Sequence, residues 1–200
     1  AMFGVWVQDK TGERFVDELA NRKVRADAIM TLLNEGIHCY AVADAKGVEP
    51  MGISRPGLLQ KMLERGCVKQ YETLEALAGE KINIEGLRKS VEEWNSAVKS
   101  GTDAHFKRYV NKKAQPMGTG PWYVSTMVPK VHHCMGGIYT DMQARALDIS
   151  TDEPIPGLFA AGEATGGVHG AVRLGSCAVT DCLVYGRIAG RTAAQNESWM

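Results

Sequence analysis

Short apolar runs separated by glycine-containing turns open the chain. Val5-Trp6-Val7 and Arg14-Phe15-Val16 flank the turn Asp9-Lys10-Thr11-Gly12, a pattern that predicts a hairpin. A helix is expected over about 22–34, stopped near Gly36, and a strand over 38–43. Two short helices follow at 57–64, ended by Gly66, and at 71–78. The clearest helix spans 84–98, where Ile84, Leu87, Val91, Trp94 and Val98 recur at helical spacing and Gly101 closes the pattern. That stripe reads as core packing rather than as a cofactor contact.

Beyond about residue 130 the pattern changes. Gly157, Gly162, Gly166, Gly167, Gly170, Gly175, Gly186 and Gly190 crowd the last quarter, so the chain divides near that point. Gly137-Ile138-Tyr139-Thr140-Asp141 and Leu158-Phe159-Ala160-Ala161-Gly162 are expected as short strands bounded by glycines. A helix rich in small residues is expected over 178–194, with Ser176 available as its N-cap. There is no internal repeat and no low-complexity tract.

Composition narrows the function classes. The 23 basic and 23 acidic side chains balance, which gives no basis for a nucleic acid or an anionic membrane as partner. The longest apolar runs fall well short of a membrane span. No signal peptide is legible, and Ala-Met-Phe-Gly at the start resembles an expression scar or an internal cut, so the compartment stays open between periplasm and cytoplasm. The 5 cysteines are scattered without Cys-x-x-Cys spacing, which argues against structural zinc, haem attachment or a disulfide framework.

Three segments carry candidate chemistry. Pro156 to Gly170 holds many small residues and one acid, Glu163, placed after a strand end where a carboxylate can accept two hydrogen bonds from hydroxyls. A glycine-rich surface loop is an equal reading of those residues. Arg173-Leu174-Gly175-Ser176-Cys177-Ala178-Val179 leads into the last helix, whose unpaired N–H groups can meet an anion, while Arg173 can pair with a carboxylate or simply be solvated. In Val131-His132-His133-Cys134-Met135-Gly136-Gly137 adjacent imidazoles point different ways on an extended chain, so they make a poor joint metal site. One facing a substrate and the other a cofactor is geometrically natural.

In order and spacing, His132-His133-Cys134-Met135-Gly136-Gly137, Ile155 to Glu163, Thr165 to Ala171 and Arg173-Leu174-Gly175 strongly resemble the flavoprotein family of fumarate reductases, succinate dehydrogenases, soluble flavocytochromes c and urocanate reductases. Gly12-Glu13-Arg14-Phe15-Val16-Asp17-Glu18, with Arg22 four residues on, looks like the family's Gly-Lys-Arg-Phe-Val-Asn-Glu segment. The resemblance implies an α/β protein: an α+β clamp (capping) lobe over 1–130 and the carboxyl-terminal part of a Rossmann-like FAD-binding domain over 131–200. It further implies reduction of the C=C bond of a small unsaturated carboxylate, fumarate by default, by hydride from reduced FAD. Arg22 falls on the proton-donating position, His132 on the substrate histidine and Arg173 on the carboxylate-holding arginine. His133, Glu163, Ala178 and Val179 match positions that contact FAD.

Departures accompany the match. Gly-x-Gly-x-x-Gly is absent, so a preceding FAD-binding segment is expected outside this sequence, as is any haem or other electron-donor domain. Val172 stands where the family usually has Asn, and Ser176-Cys177 where soluble members often have Gly-Asn, which leaves dicarboxylate specificity open. Two other readings compete: a non-catalytic clamp or partner-binding module of a split flavoprotein, and a steroid dehydrogenase of the same superfamily, whose site uses tyrosines.

Overall fold

The computed structural model describes residues 4–79 and 81–195. The chain forms two compact units, Ala1–Pro129 and Lys130–Met200. Helices and sheets are mixed in both.

In the amino-terminal unit a four-stranded antiparallel sheet has the order β1 (Val5–Gln8), β2 (Cys39–Asp44), β4 (Trp122–Met127), β3 (Lys69–Tyr71). Its register aligns Val5, Val42 and Val124 on one face. That face packs on α4 (Leu74–Ala78) and α5 (Ile84–Ser100) through Leu77, Leu87, Val91 and Trp94. The opposite face presents Trp6, Cys39 and Ala41 to Ile29 and Leu32 of α1 (Arg22–Asn34). Strand alternation thus buries both sides of one sheet.

Helix ends follow local chemistry. Asn21 caps α1 by accepting the Val24 N–H, and Asn83 caps α5 by accepting that of Gly86. Gly101, at φ 76°, terminates α5 with its N–H on the Ala97 carbonyl. At Gly86 any side chain would run into the Thr11 carbonyl, so the 9–12 turn can lie on α5 only over glycine.

Several expectations are corrected. The hairpin reduces to one bridge, Val7 to Arg14, and β1 pairs with β2 instead. Arg14 is drawn inward: its backbone N–H donates to Ser90 Oγ and its guanidinium lies in a buried ion network. Within that network Glu18 accepts from Arg14 Nε at 2.9 Å, Arg14 Nη2 at 2.8 Å and the Trp6 N–H at 3.1 Å. Glu18 also pairs with Arg108 Nη1 at 3.0 Å, and Arg14 meets Asp103 at 2.7 Å. The helix expected over 71–78 is shorter, because Tyr71 pairs with Trp122 in the sheet and Thr73 caps α4. Four elements were not expected at all: α2 (Ala45–Ser54), which contains Pro50 and starts where Asp44 accepts the Gly47 N–H, and the strands β3, β4 and, in the other unit, Arg145–Leu147. The helix α3 (Leu58–Glu64) lies where a helix was expected.

The carboxyl-terminal unit pairs β5 (Arg145–Leu147) with β6 (Pro154–Phe159), adds a 3-10 turn at Gly162–Ala164 and ends in α6 (Cys177–Gln195). The strand expected over 137–141 forms only isolated bridges, Ile138 to Thr165 and Thr140 to Ala146. The strand expected over 158–162 starts earlier and yields to the 3-10 turn at Gly162. Ser176 adopts φ 70° rather than the extended backbone of an N-cap, because the Cys177 N–H turns back to the Leu174 carbonyl. No described helix is long and apolar enough to cross a membrane.

Candidate functional site

Three segments of the carboxyl-terminal unit hold the candidate chemistry: the stretch 131–137, the 3-10 turn with the loop after it, and the first turns of α6. Backbone bonds join the first two. Ile138 N–H donates to the Ala164 carbonyl at 2.8 Å and Gly166 N–H to the Ile138 carbonyl at 3.1 Å. A side chain at Gly137 would strike the Ala164 carbonyl, so this approach requires glycine.

Glu163 organises what the junction brings together. One carboxylate oxygen, Oε1, accepts the Cys134 N–H at 3.0 Å, and Oε2 lies 3.3 Å from His133 Nδ1. The Cys134 hydrogen bond holds the Glu163 carboxyl below the usual carboxylate range. Burial opposes this, and the nearby charges of His133, His132 and Arg173 lower the carboxyl further. Glu163 is therefore ionised at neutral pH.

The His133 side chain is only 6% exposed, and its Nε2 is buried without a hydrogen-bond partner. The His169 ring meets it edge to face, with centroids 5.4 Å apart and planes at 74°. His169 Nε2 in turn lies 3.2 Å from Oδ2 of Asp181, a carboxylate 3% exposed on α6. Arg173 is 7% exposed; its Nη1 donates to the Leu174 carbonyl at 2.9 Å and its Nε is buried with no partner. Buried polar atoms left open in this way are suited to a bound ligand.

The expected residues are distributed unevenly. His133, Glu163, His132 and Arg173 share the carboxyl-terminal unit, with His132 exposed. Ala178 and Val179 lie on the first turn of α6, half-buried and exposed respectively. Arg22 stands in the amino-terminal unit, exposed at the first position of α1. Neither Asp181 nor His169 was among the expected site residues. The available signal was that Asp181 is the sole acid in α6. Among the described residues no group of three or more His, Cys, Asp or Glu could hold a metal ion.

The model of the FAD binding domain matches residues 3–179. The chain belongs to the FAD-binding domain family. Over 189 residues it is 38% identical to a urocanate reductase of Eggerthella lenta, covering 93% of this chain and 30% of that protein. The open conformation of a flavocytochrome c3 fumarate reductase superposes with a TM-score of 0.68 at 34% identity, over 98% of this chain and 33% of that one. A 3-ketosteroid delta1-dehydrogenase from Sterolibacterium denitrificans gives 0.76 at 26% identity, over 96% and 39%. The chain thus spans only about a third of the length of these relatives. The family's cofactor is FAD, and the open, buried His133 Nε2 and Arg173 Nε beside an ionised Glu163 suit a large polar ligand.

Proposed function

We propose that this chain contributes the substrate-facing and part of the flavin-facing surface of an FAD-dependent reductase of unsaturated carboxylates. The observation that carries the reading is Arg173: a buried guanidinium with an unpartnered Nε, electrostatically coupled to Glu163 in company with His132 and His133. A cation in that setting pairs with a carboxylate far more strongly than a solvated one. Relatives at 30–40% identity that reduce urocanate and fumarate support the same class.

Bound FAD, in its two-electron-reduced form, would supply a hydride to one alkene carbon. Arg173 anchors the substrate carboxylate, and with His132 draws electron density from the alkene as negative charge develops. Arg22 delivers the proton to the neighbouring carbon, completing a two-electron, two-proton-equivalent reduction of C=C to CH–CH. His133 and Glu163 orient the cofactor, with Ala178 and Val179 contributing backbone contacts at the start of α6. The 1–130 lobe acts as the clamp, residues 131–200 as part of the flavin domain, and the glycine loop for the pyrophosphate comes from a segment outside this sequence. A haem or other electron donor outside this sequence would return the flavin to its reduced form.

The test is reoxidation of the dithionite-reduced full-length protein, in which this chain is joined by its FAD-binding segment, followed by flavin absorbance under anaerobic mixing with fumarate or urocanate. Reoxidation by one of these acids, slowed about a hundredfold in Arg173→Gln, is the expected result. Reoxidation by no unsaturated acid faster than by air refutes the reading.

A second reading has one observation behind it. Within the carboxyl-terminal unit the described buried apolar side chains are only Ala144 and Ala146, while Val179, Leu183 and Val184 of α6 are exposed. A face of that kind favours a non-catalytic module packed on a partner subunit, and a protein that binds no flavin yet co-purifies as a complex supports it.

A further inference from the structure

We propose that His169 and Asp181 are a positioning pair that, together with Glu163, fixes His133 as a hydrogen-bond acceptor facing the ligand. The inference rests on the reading that His133 contacts the flavin. Its own evidence is the line of four groups Glu163, His133, His169 and Asp181, which the sequence scatters over 163, 133, 169 and 181 and the fold brings into register.

The proton positions follow from which groups can only accept. A carboxylate 3% exposed requires a donor, and the described donor to Asp181 is His169 Nε2 at 3.2 Å, since Oδ1 is buried without a partner. His169 is thereby the Nε2–H tautomer with its ring orientation set. On His133 the same logic applies at the other end: Glu163 Oε2, 3.3 Å away, can only accept, so Nδ1 carries the proton. The remaining nitrogen of His133, Nε2, then presents a lone pair from a buried position with no protein partner. The edge-to-face His169 ring, its centroid 5.4 Å away, packs on the His133 ring and supports its orientation; a half-turn about the second side-chain torsion would put a carbon where Nε2 stands. The ligand group this arrangement takes is an N–H or O–H donor, such as an imide N–H or a ribityl hydroxyl, and it rejects a carbonyl at that spot.

The experiment is long-range 1H–15N correlation NMR of the imidazoles at pH 8, where a free imidazole is neutral, on the wild-type protein without flavin. His133 as Nδ1–H and His169 as Nε2–H is the expected pattern. Asp181→Leu, which removes the acceptor, should turn His169 to a tautomer mixture, shift the His133 resonances and, in the full-length protein, weaken FAD binding about tenfold. Asp181→Asn, which keeps an oxygen acceptor, should preserve both. A role confined to stability would lower Tm in Asp181→Leu and leave the His133 resonances where they were. An Nε2–H His133 in the wild type, or unchanged His133 signals in folded Asp181→Leu, overturns the proposal. Should Asp181→Leu fail to fold, the wild-type tautomers decide alone. Correct tautomers with no FAD binding by the full-length protein would instead refute the flavin reading and leave the pair standing.

Discussion

Replacing Glu18 by Gln removes one charge from a site that water does not reach. The side chain is fully buried and takes four hydrogen bonds or ion contacts: from the Trp6 N–H, from Nε and Nη2 of Arg14, and from Nη1 of Arg108. Burial works against the Arg14 guanidinium, yet the hydrogen bonds and charges of Glu18 and Asp103 push its pKa up, so it keeps its proton in either protein. In the variant the amide oxygen still accepts, but the amide NH2 points donors at arginine donors. Two charge-assisted bonds are lost at about 1.5–3 kcal/mol each. Two arginines are then left with Asp103 as their remaining anion in the described network, and removing one partner of a buried pair costs about 3–5 kcal/mol by itself. These are two views of one loss, so the expected cost is about 3–5 kcal/mol in total. With a urea slope near 2 kcal/mol/M the midpoint should fall by about 2 M. Tryptophan fluorescence reports it, because Trp6, Trp94 and Trp122 are buried in the same unit. The control is Asp27→Asn, which breaks an exposed pair with Lys23 and should cost under about 0.5 kcal/mol. A Glu18→Gln protein indistinguishable from that control would show that the network contributes nothing net.

Acid should loosen the same network. Burial alone would raise the Asp103 carboxyl, but the hydrogen bond and charge of Arg14, with the Phe106 and His105 N–H groups, hold it below its ordinary range. A depressed carboxylate contributes stability that is present above the unfolded value of about 4 and disappears as pH falls through the folded one. Asp103→Asn should therefore flatten the acid limb of a stability-against-pH curve, and an unchanged slope would count against the assignment. Gly86→Ala should destabilise by about 1–3 kcal/mol through collision with the Thr11 carbonyl. Gly52→Ala, on α2 with open space around it and no left-handed backbone, should stabilise by about 0.5–1 kcal/mol; calorimetry that ranks the two the other way contradicts the packing. Burial, with a lesser contribution from Asp9, pushes the Cys39 thiol up to about 11, so a disulfide reagent at pH 8 should label exposed Cys67 and Cys134 quickly and Cys39 only on unfolding.

Local pattern was enough for the elements whose own residues decide them. The helix over Arg22–Asn34 is bounded by Asn21 and Gly36, and α5 by Asn83 and Gly101; the two glycine stops were legible, and the structure adds the asparagine caps. Ordered motifs likewise point to an FAD-binding family by themselves. What stayed illegible were features set by distant partners. β4 is a strand because β2 and β3 offer it two edges, and α2 forms despite Pro50 because Asp44 caps it while also accepting from Gly118 and Thr119. Arg14 left the expected hairpin because Glu18, Asp103 and Arg108 outcompete a ladder hydrogen bond, a choice that exists only once residue 103 has come near residue 14. The site divides the same way. Side-chain type and spacing identified His132, His133, Glu163 and Arg173 as chemically apt. Burial and the Asp181–His169 contact arise only when α6 packs near the 3-10 turn, because a carboxylate's surroundings depend on which donor remains when water is gone.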